Sequence, residues 1–573
     1  MSTGPDMSEG SAGLRWRWPV FRSLEGYRRS WIQRDLVAGV LIVAIAIPLS
    51  MGMAEVAGMP PVAGLYSCVL PLIAYALLGS SRQLVIALDA STAALLAAAV
   101  TPLAGGDAET YATLAGLVAL LVGAILLLAG VLRLGFLGNF LSQPVILGYQ
   151  AGLAIVVTVS QLPTLLGISL EEDGTIHQLA EIVRRLDETN VPTLLVGLVS
   201  LALILALRAW KPAVPGALIA VAVATIAVEA FDLVQEGVSV LGALPSGLPA
   251  LTLPSPTLHE AAALIAPAAG IALVAAADTI ASARAFAQRG GYRLEPNLDL
   301  IGLGAANLSS GVSGGISVSA SAARTAVAES VGSRSQVAGV SAALLMIAVL
   351  LFFTRPLQNV PNAALAAVVI SAVLRLIEVP ALRRSWRVRR SEFLVALATT
   401  AGAVAFGLLQ GILIAVAVSI LDFVRRATLP HDAVIGRIEG RQGLFDVARY
   451  PDARTERGLV LYRFDAALFY ANAERFLERA LRLVDGTPDV KWFVLDASVI
   501  SDVDVTAART LVELDDELDQ RGVELVLVDL LADVQDLLAR AGLLDGLGAG
   551  LVFDTAEDAI AAFHSRPTPD TRG

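Results

Sequence analysis

The stretch SSGVSGGISVSASAARTAV, residues Ser309–Val327, decides how this chain folds. Gly311, Gly314 and Gly315 are followed by Ser317, Ser319 and Ser321, then by a helix-competent run with one basic residue, Arg324. The stretch lies deep among apolar runs. A short helix starting there aims its unsatisfied N–H groups, and the positive end of its dipole, at whatever lies in front of it. At membrane depth such an end is tolerated only where it is buried in protein or lines a cavity. There it favours an anion. Read this way, the stretch is half of an anion site in a secondary transporter.

Composition supports a membrane setting. The chain of 573 residues is 56% hydrophobic and 16% charged, whereas a soluble domain is roughly a quarter charged. A single cysteine, Cys68, excludes an intramolecular disulfide and a Cys-rich metal site. The histidines, His177, His259, His431 and His564, fall outside the apolar runs, which removes a histidine proton relay. No HExxH, Ser-His-Asp, P-loop or metal constellation occurs, so the reading is not an enzyme. The net charge of -11 argues against nucleic acid. It leaves an anionic substrate open, because local charge governs a buried site. Residues 1–35 lack the apolar core of a signal peptide. Their Arg15, Arg17, Arg22, Arg28, Arg29 and Arg34, with Trp18, Phe21, Tyr27 and Trp31, read as a basic juxtamembrane segment on the cytoplasmic face.

Between residues 36 and 424, apolar runs fall at 36–54, 62–78, 84–100, 112–132, 140–162, 191–209, 214–230, 260–283, 297–312, 319–331, 336–354, 362–378, 391–407 and 408–424. A full span needs ~20 apolar residues, and the third (84–100) and tenth (319–331) are short. They hold matching places in two sets of seven, which is where a transporter site is expected. The loops agree. Residues 101–111 and 229–260 contain no Lys or Arg, while Arg82, Arg133, Arg208, Lys211, Arg284, Arg289, Arg293, Arg334, Arg383, Arg384, Arg387, Arg389 and Arg390 fall on the other face. Arg184, Arg185 and Arg355 are exceptions to this positive-inside pattern. An odd number of spans per half inverts the second half relative to the first. The expected fold is therefore an α-helical polytopic membrane protein, 14 transmembrane segments as a 7+7 inverted repeat.

After Arg425 and Arg426 the pattern becomes globular. Strands are expected at 459–472, 491–499 and 523–530, and helices at 473–484, 505–522 and 531–542. The alternation predicts a small α/β domain over 432–564 with a mostly parallel sheet, on the cytoplasmic side. Residues 565–573 read as a polar, disordered tail.

These features resemble the sulfate permease (SulP) family, solute carrier family 26 in animals. The resemblance rests on IAIPLSMGMAEVAGMPPVAGLYS (45–67), GSSR (79–82), AADTIASARAFA (276–287), PNLDLIGLGAANLSSGVSGG (296–315) and AARTAV (322–327). The C-terminal part is similar to the STAS domain of anti-sigma-factor antagonists through VLDASVISDVDVTAARTL (494–511). The resemblance implies a core domain moving against a gate domain, elevator transport in the plasma (inner) membrane, and a homodimer. No cofactor is implied.

The expected anion contacts are Ser50, Ala90, Ser91, Ser319, Ala320, Ser321 and Arg324. An arginine in a span costs ~2.5 kcal/mol or more, so Arg324 either snorkels, packs a helix, or supplies a positive field; the resemblance has a basic residue near the substrate at this place. The companion half-helix starts around Asp89, where Ala87-Leu88 stands in place of the family's Gly-Pro; Asp89 is read as its cap. Without that Gly-Pro, the start of the third span is expected to be less sharply defined. Asp278, with Ser282 one turn on, should hold a proton or a cation. If the cation is Na+, its ligands would be Asp278, Ser282 and the carbonyls of Ala320 and Ala322, as sodium-dependent bicarbonate members suggest. Pro48, Met51 and Met53 are placed on the same cavity as Ser50, Leu49 stands where the family often has glutamine, and Gln150 is read as a packing residue. In the STAS-like part, Asp504 is expected to cap the helix from Val505. Thr506 is a weak phosphorylation site, and a cytosolic partner is possible. Sulfate, bicarbonate and dicarboxylates all fit. The rivals are a nucleobase-type carrier of similar fold and a STAS sensor with vestigial transport.

Overall fold

The computed structural model describes residues 22–24, 27–135, 143–170, 172, 174–211, 214–544 and 550–566. Arg15, Arg17, Trp18 and Phe21 of the basic segment, and the tail beyond Arg566, lie outside the described residues. Two compact units are present, Met1–Ser419 and Ile420–Gly573.

In the first unit each expected apolar run contains a helix. The first seven are α1 (Ile32–Val56), α2 (Pro61–Leu78), α3 (Ala90–Ala104), α4 (Ala108–Val131), α5 (Gln143–Leu166), α6 (Val191–Trp210) and α7 (Gly216–Ala230). The second seven are α8 (Leu258–Gly290), α9 (Pro296–Val312), α10 (Ala322–Ser330), α11 (Val337–Phe352), α12 (Asn362–Val373), α13 (Arg390–Phe406) and α14 (Leu408–Thr428). Both halves follow one element order. Each places a two-residue strand before its short third helix: β1 (Ile86–Ala87) before α3, and β2 (Ser319–Ala320) before α10. The strands pair antiparallel, Ile86 with Ala320 and Ala87 with Ser319, so the two half-helices start from one shared ladder.

Two of the bounds that differ from the sequence reading frame the site. The third helix starts at Ala90 rather than residue 84, and the tenth at Ala322 rather than 319, because the residues ahead of each are spent on that ladder. Two further helices of ten residues each, Thr175–Arg184 and Val379–Val388, stand where loops were expected.

Helices α1–α4 pack mainly on α8–α11, while α5 packs on α12 and α13, α6 on α12, and α7 on α6 and α1. One close seam is α4 against α9. A Cβ added at Gly123 would come within 2.7 Å of the Leu308 amide nitrogen and 2.8 Å of the Gly304 carbonyl, and one at Gly130 within 2.7 Å of the Asn297 carbonyl. Glycines one heptad apart thus let two backbones touch, as small residues do between membrane helices.

Two buried carboxylates clamp the ends of this bundle. Asp299, in the first turn of α9, accepts from Tyr75 Oη at 2.7 Å, from the Ser80 and Ser81 amides at 3.0 Å and from Ser80 Oγ at 3.0 Å. Asp35, in the first turn of α1, accepts from Ser333 Oγ (3.0 Å), the Arg334 amide (2.9 Å) and Ser335 Oγ (2.6 Å). Each sits where a helix dipole favours an anion and spends it on a serine-rich turn of a distant helix.

The second unit has a six-stranded sheet. Its strands are β3 (Asp432–Arg437), β4 (Leu444–Asp446), β5 (Leu459–Phe464), β6 (Trp492–Asp496), β7 (Glu524–Val528) and β8 (Val552–Phe553), in the order β4-β3-β5-β6-β7-β8. Strands β5 to β8 run parallel, and β3 is antiparallel to both neighbours. Its helices are α15 (Ala473–Asp485), α16 (Val505–Gln520), α17 (Ala532–Arg540) and α18 (Ala556–Ser565). Asp504 caps α16, accepting from the Ala507 amide at 2.8 Å, as its position before Val505 predicts. Thr506 is exposed in the first turn of that helix.

Candidate functional site

A cavity of about 380 Å³ lies between the two helix groups of the first unit. On one side it is lined from α1 (Leu49, Met53), α3 (Asp89, Ala90), α8 (Asp278, Ser282) and the β2–α10 junction (Ala320 to Ala323). On the other it is lined from α5 (Gln150), α6 (Arg208), the start of α7, and α12 with Arg375 just beyond it. At ~30 Å³ per water in the liquid, it has room for about a dozen waters, or for a small anion with part of its hydration.

The two helix starts facing this space are chemically unlike. The start of α3 is closed by its own side chain: Asp89 Oδ2 accepts from the Ser91 amide at 3.4 Å and from Ser91 Oγ at 3.1 Å. Ala90 and Ser91 are buried. The start of α10 is open. Its cap residue, Ser321, makes no side-chain capping bond, and Ala322 and Ala323 are exposed to the cavity. The amides of that first turn therefore have no helical partner and face a space an anion could enter.

Ser91 Oγ also lies 3.4 Å from Asp278 Oδ2, so one hydroxyl touches both carboxylates. It carries one proton and cannot donate to both at once. Two carboxylates around one hydroxyl, half-enclosed by apolar helices, are an arrangement that can share a proton or hold a cation between them. Ser282, Ala320 and Ala322 line the same cavity as Asp278. Among the described residues no group of three or more His, Cys, Asp or Glu could hold a metal ion, so an ion here would rely on hydroxyl and carbonyl oxygens.

Arg324 points away from the cavity lining. It is 1% exposed, and its Nη2 donates to Ser50 Oγ at 2.9 Å. Ser50 Oγ is in turn 3.3 Å from Cys68 Sγ. Among the described residues no carboxylate lies within ion-pair distance of this guanidinium. Ser50, Ser91, Ser319 and Arg324 stand behind the cavity wall, whereas Ala90, Ala320 and Ser321 are on it. Pro48 and Met51 are buried off the cavity, while Leu49 and Met53 line it. Gln150, read as a packing residue, lines the cavity instead.

Sequence reasoning gave no site role to Asn307, Arg208 or Arg375. Asn307 holds the loop before β2: its Oδ1 accepts from the Val318 amide (2.9 Å) and Ser317 Oγ (2.7 Å), and its Nδ2 donates to the Val318 carbonyl (2.9 Å). An amide in the middle of an apolar helix, two turns from a glycine-rich loop, was the available signal. Arg208 and Arg375 give the cavity a basic edge; both end helices that read as ordinary spans, so nothing local set them apart.

The sulfate permease family profile matches residues 32–399, and the STAS domain profile matches residues 450–559. A probable sulfate transporter of Mycobacterium tuberculosis is 43% identical over 541 residues, 94% of this chain and 97% of the relative. The chloroplastic sulfate transporter 4.1 of Arabidopsis thaliana is 31% identical over 566 residues, 95% of this chain and 82% of the relative. Among solved structures, the murine solute carrier 26 family member A9 anion transporter, inward-facing, superposes with TM-score 0.88 at 21% identity, covering 98% of this chain and 97% of that one. The transmembrane domain of a cyanobacterial bicarbonate transporter gives TM-score 0.60 at 22% identity over 69% of this chain and 97% of that one.

Proposed function

Because this chain belongs to the sulfate permease family, multi-pass anion transporters of the membrane, and carries a STAS domain, we propose that it carries sulfate, with a cation, by alternating access. The observation that supports this most directly is the open start of α10 beside the closed start of α3 in one cavity. The bare amides of Ala322 and Ala323 form the anion subsite. The charge of Arg324, which has no ion-pair partner among the described residues, lies behind them, where low dielectric lets it act on the cavity without contact. Asp89, Ser91 and Asp278 form the cation subsite at the same cavity. Each ion then makes room for the other: a proton or Na+ on the carboxylates removes the repulsion a dianion would meet.

The helix group that bears both subsites moves against the group bearing Gln150, Arg208 and Arg375, so the site travels while the facing wall stays. Arg208 and Arg375 gather anions at the mouth. The membrane is the plasma membrane, both termini and the STAS domain are cytoplasmic, and two copies associate, with a cytosolic partner for the STAS domain. A nucleobase carrier would need acids on the eighth and tenth helices facing the ligand. The acid of α10, Glu329, lies instead at its far end, 3.4 Å from Arg289.

Uptake of labelled sulfate, bicarbonate and fumarate into proteoliposomes, with and without sodium and proton gradients, tests the proposal. Sulfate uptake driven by either gradient supports it. Uptake of none of the three, in vesicles holding folded protein, overturns it in favour of a sensor.

A further inference from the structure

The segment joining α12 to α13 is not a loop but a ten-residue helix, Val379–Val388, with no buried residue. Val379, Leu382 and Trp386 fall at i, i+3 and i+7 and share one stripe. Val379 is 44% and Trp386 47% exposed. Arg383, Arg384 and Arg387 occupy the adjoining face, and all three are exposed. Among the described residues none of the three has a hydrogen-bond or ion-pair partner, while the nearby Arg389 meets Glu392 at 3.6 Å. Trp386 is held edge-on to Phe393 of α13, ring centroids 5.0 Å apart, with the Arg390 guanidinium 5.4 Å from its centroid. The tryptophan is thus oriented by the start of a membrane span yet left uncovered.

From this arrangement we infer that helix 379–388 lies in the headgroup layer of the bilayer and binds anionic phospholipid, Trp386 at the acyl boundary and Arg383, Arg384 and Arg387 on the phosphates. Apolar and tryptophan side chains on one face beside arginines on the next are the make-up of an interfacial helix. Three unpartnered guanidiniums supply the charge complementarity that selects anionic over neutral lipid. The helix links two elements of the wall with Arg208 and Arg375, so the lipid would hold that wall in place. This role is independent of what the cavity carries.

The test uses the full chain in vesicles of phosphatidylcholine with or without phosphatidylglycerol, one lipid at a time carrying brominated acyl chains. The difference in quenching between the natural chain and Trp386→Phe isolates Trp386. Brominated phosphatidylglycerol should quench it more strongly than brominated phosphatidylcholine, with an enrichment of about fivefold for each arginine engaged. Combined Arg383→Gln, Arg384→Gln and Arg387→Gln should abolish the preference while leaving some quenching by both lipids. High salt should do the same to the natural chain, which keeps the test decisive should the triple variant misfold. A Trp386 signal that neither lipid quenches, as under a covering protein, overturns the inference. So does equal quenching by both lipids at low salt.

Discussion

Ser50 supplies the hydrogen bond that Arg324 makes: Nη2 donates to Ser50 Oγ at 2.9 Å, and among the described residues Nε and Nη1 have no partner. A guanidinium 1% exposed with most of its donors idle is expensive to hold. Its retention in this place makes sense if its charge is used. Arg324→Ala should therefore abolish sulfate uptake while folded protein is recovered at normal yield, since the change also removes an unpaired buried charge. Ser50→Ala removes the remaining donor–acceptor pair and should cost roughly 1–3 kcal/mol of stability. Measuring uptake and thermal unfolding on both variants separates the roles. Arg324→Ala protein that still transports at normal rate would show the guanidinium to be structural.

The shared hydroxyl of Ser91 makes a split prediction for its two carboxylates. Asp278→Asn should remove dependence on the cation gradient, leaving slow uptake down the sulfate gradient. Asp89→Ala should do something different. It uncaps α3, at a cost of about 1 kcal/mol, and opens a second bare helix start to the cavity. Sulfate should then bind more tightly, with lower KM and lower maximal rate. Kinetics in proteoliposomes at several cation concentrations would read both. Gradient-driven uptake by Asp278→Asn would show that coupling lies elsewhere.

Much of this architecture was legible in the sequence. Apolar length, the run of arginines on one set of loops and two short segments at matching places already define the spans and the half-helices. What stayed hidden depends on pairing across long sequence distances. The β1–β2 ladder joins Ile86 to Ala320 through two residues each, too short to show any alternation. Ala87-Leu88, in place of the expected Gly-Pro, suggested a loosely defined start to α3. The start is sharp, because Asp89 caps it in an extended conformation (φ -119°, ψ 161°) while the ladder holds the residues before it. The direction Arg324 faces could not be read either. Residues on one helical turn differ in facing by the rotation of the helix, and the ladder sets that rotation.

Gly123 offers a test of the fold itself. Its missing side chain lets α4 lie against the backbone of α9, and even a Cβ would fall 2.7 Å from the Leu308 amide nitrogen. Backbone cannot yield as a side-chain tip can. Gly123→Leu should cost upwards of 1–3 kcal/mol, seen as loss of a monodisperse peak on size exclusion and a lower unfolding temperature. Gly402→Ala within α13, where the nearest neighbour is the Ile414 Cδ1 at 3.9 Å and no positive φ intrudes, is the control for crowding. Equal behaviour of the two variants would show that the backbones of α4 and α9 do not touch.

In the STAS domain, Asp515 lies on α16 one turn before Asp519 and beside Asp516. Burial, first, and then the charges of Asp519 and Asp516 raise its pKa from 3.8 to about 6. An acid that holds its proton more firmly when folded costs the folded state stability wherever the unfolded chain has given that proton up. Below about pH 4 both states are protonated and the group is silent. Between about pH 4 and 6 the unfolded chain has released the proton and the folded one has not, so stability falls as pH rises through this window. Above about 6 the full penalty of a crowded, part-buried charge is present. Asp515→Asn removes that penalty and should make the domain more stable at neutral pH, with little change at pH 4. Hydrogen exchange of the β6 and β7 amides in the full chain, corrected for intrinsic rates, reads this directly. A difference between the two chains that stays flat from pH 4 to 7 would mean Asp515 ionises as an ordinary surface acid.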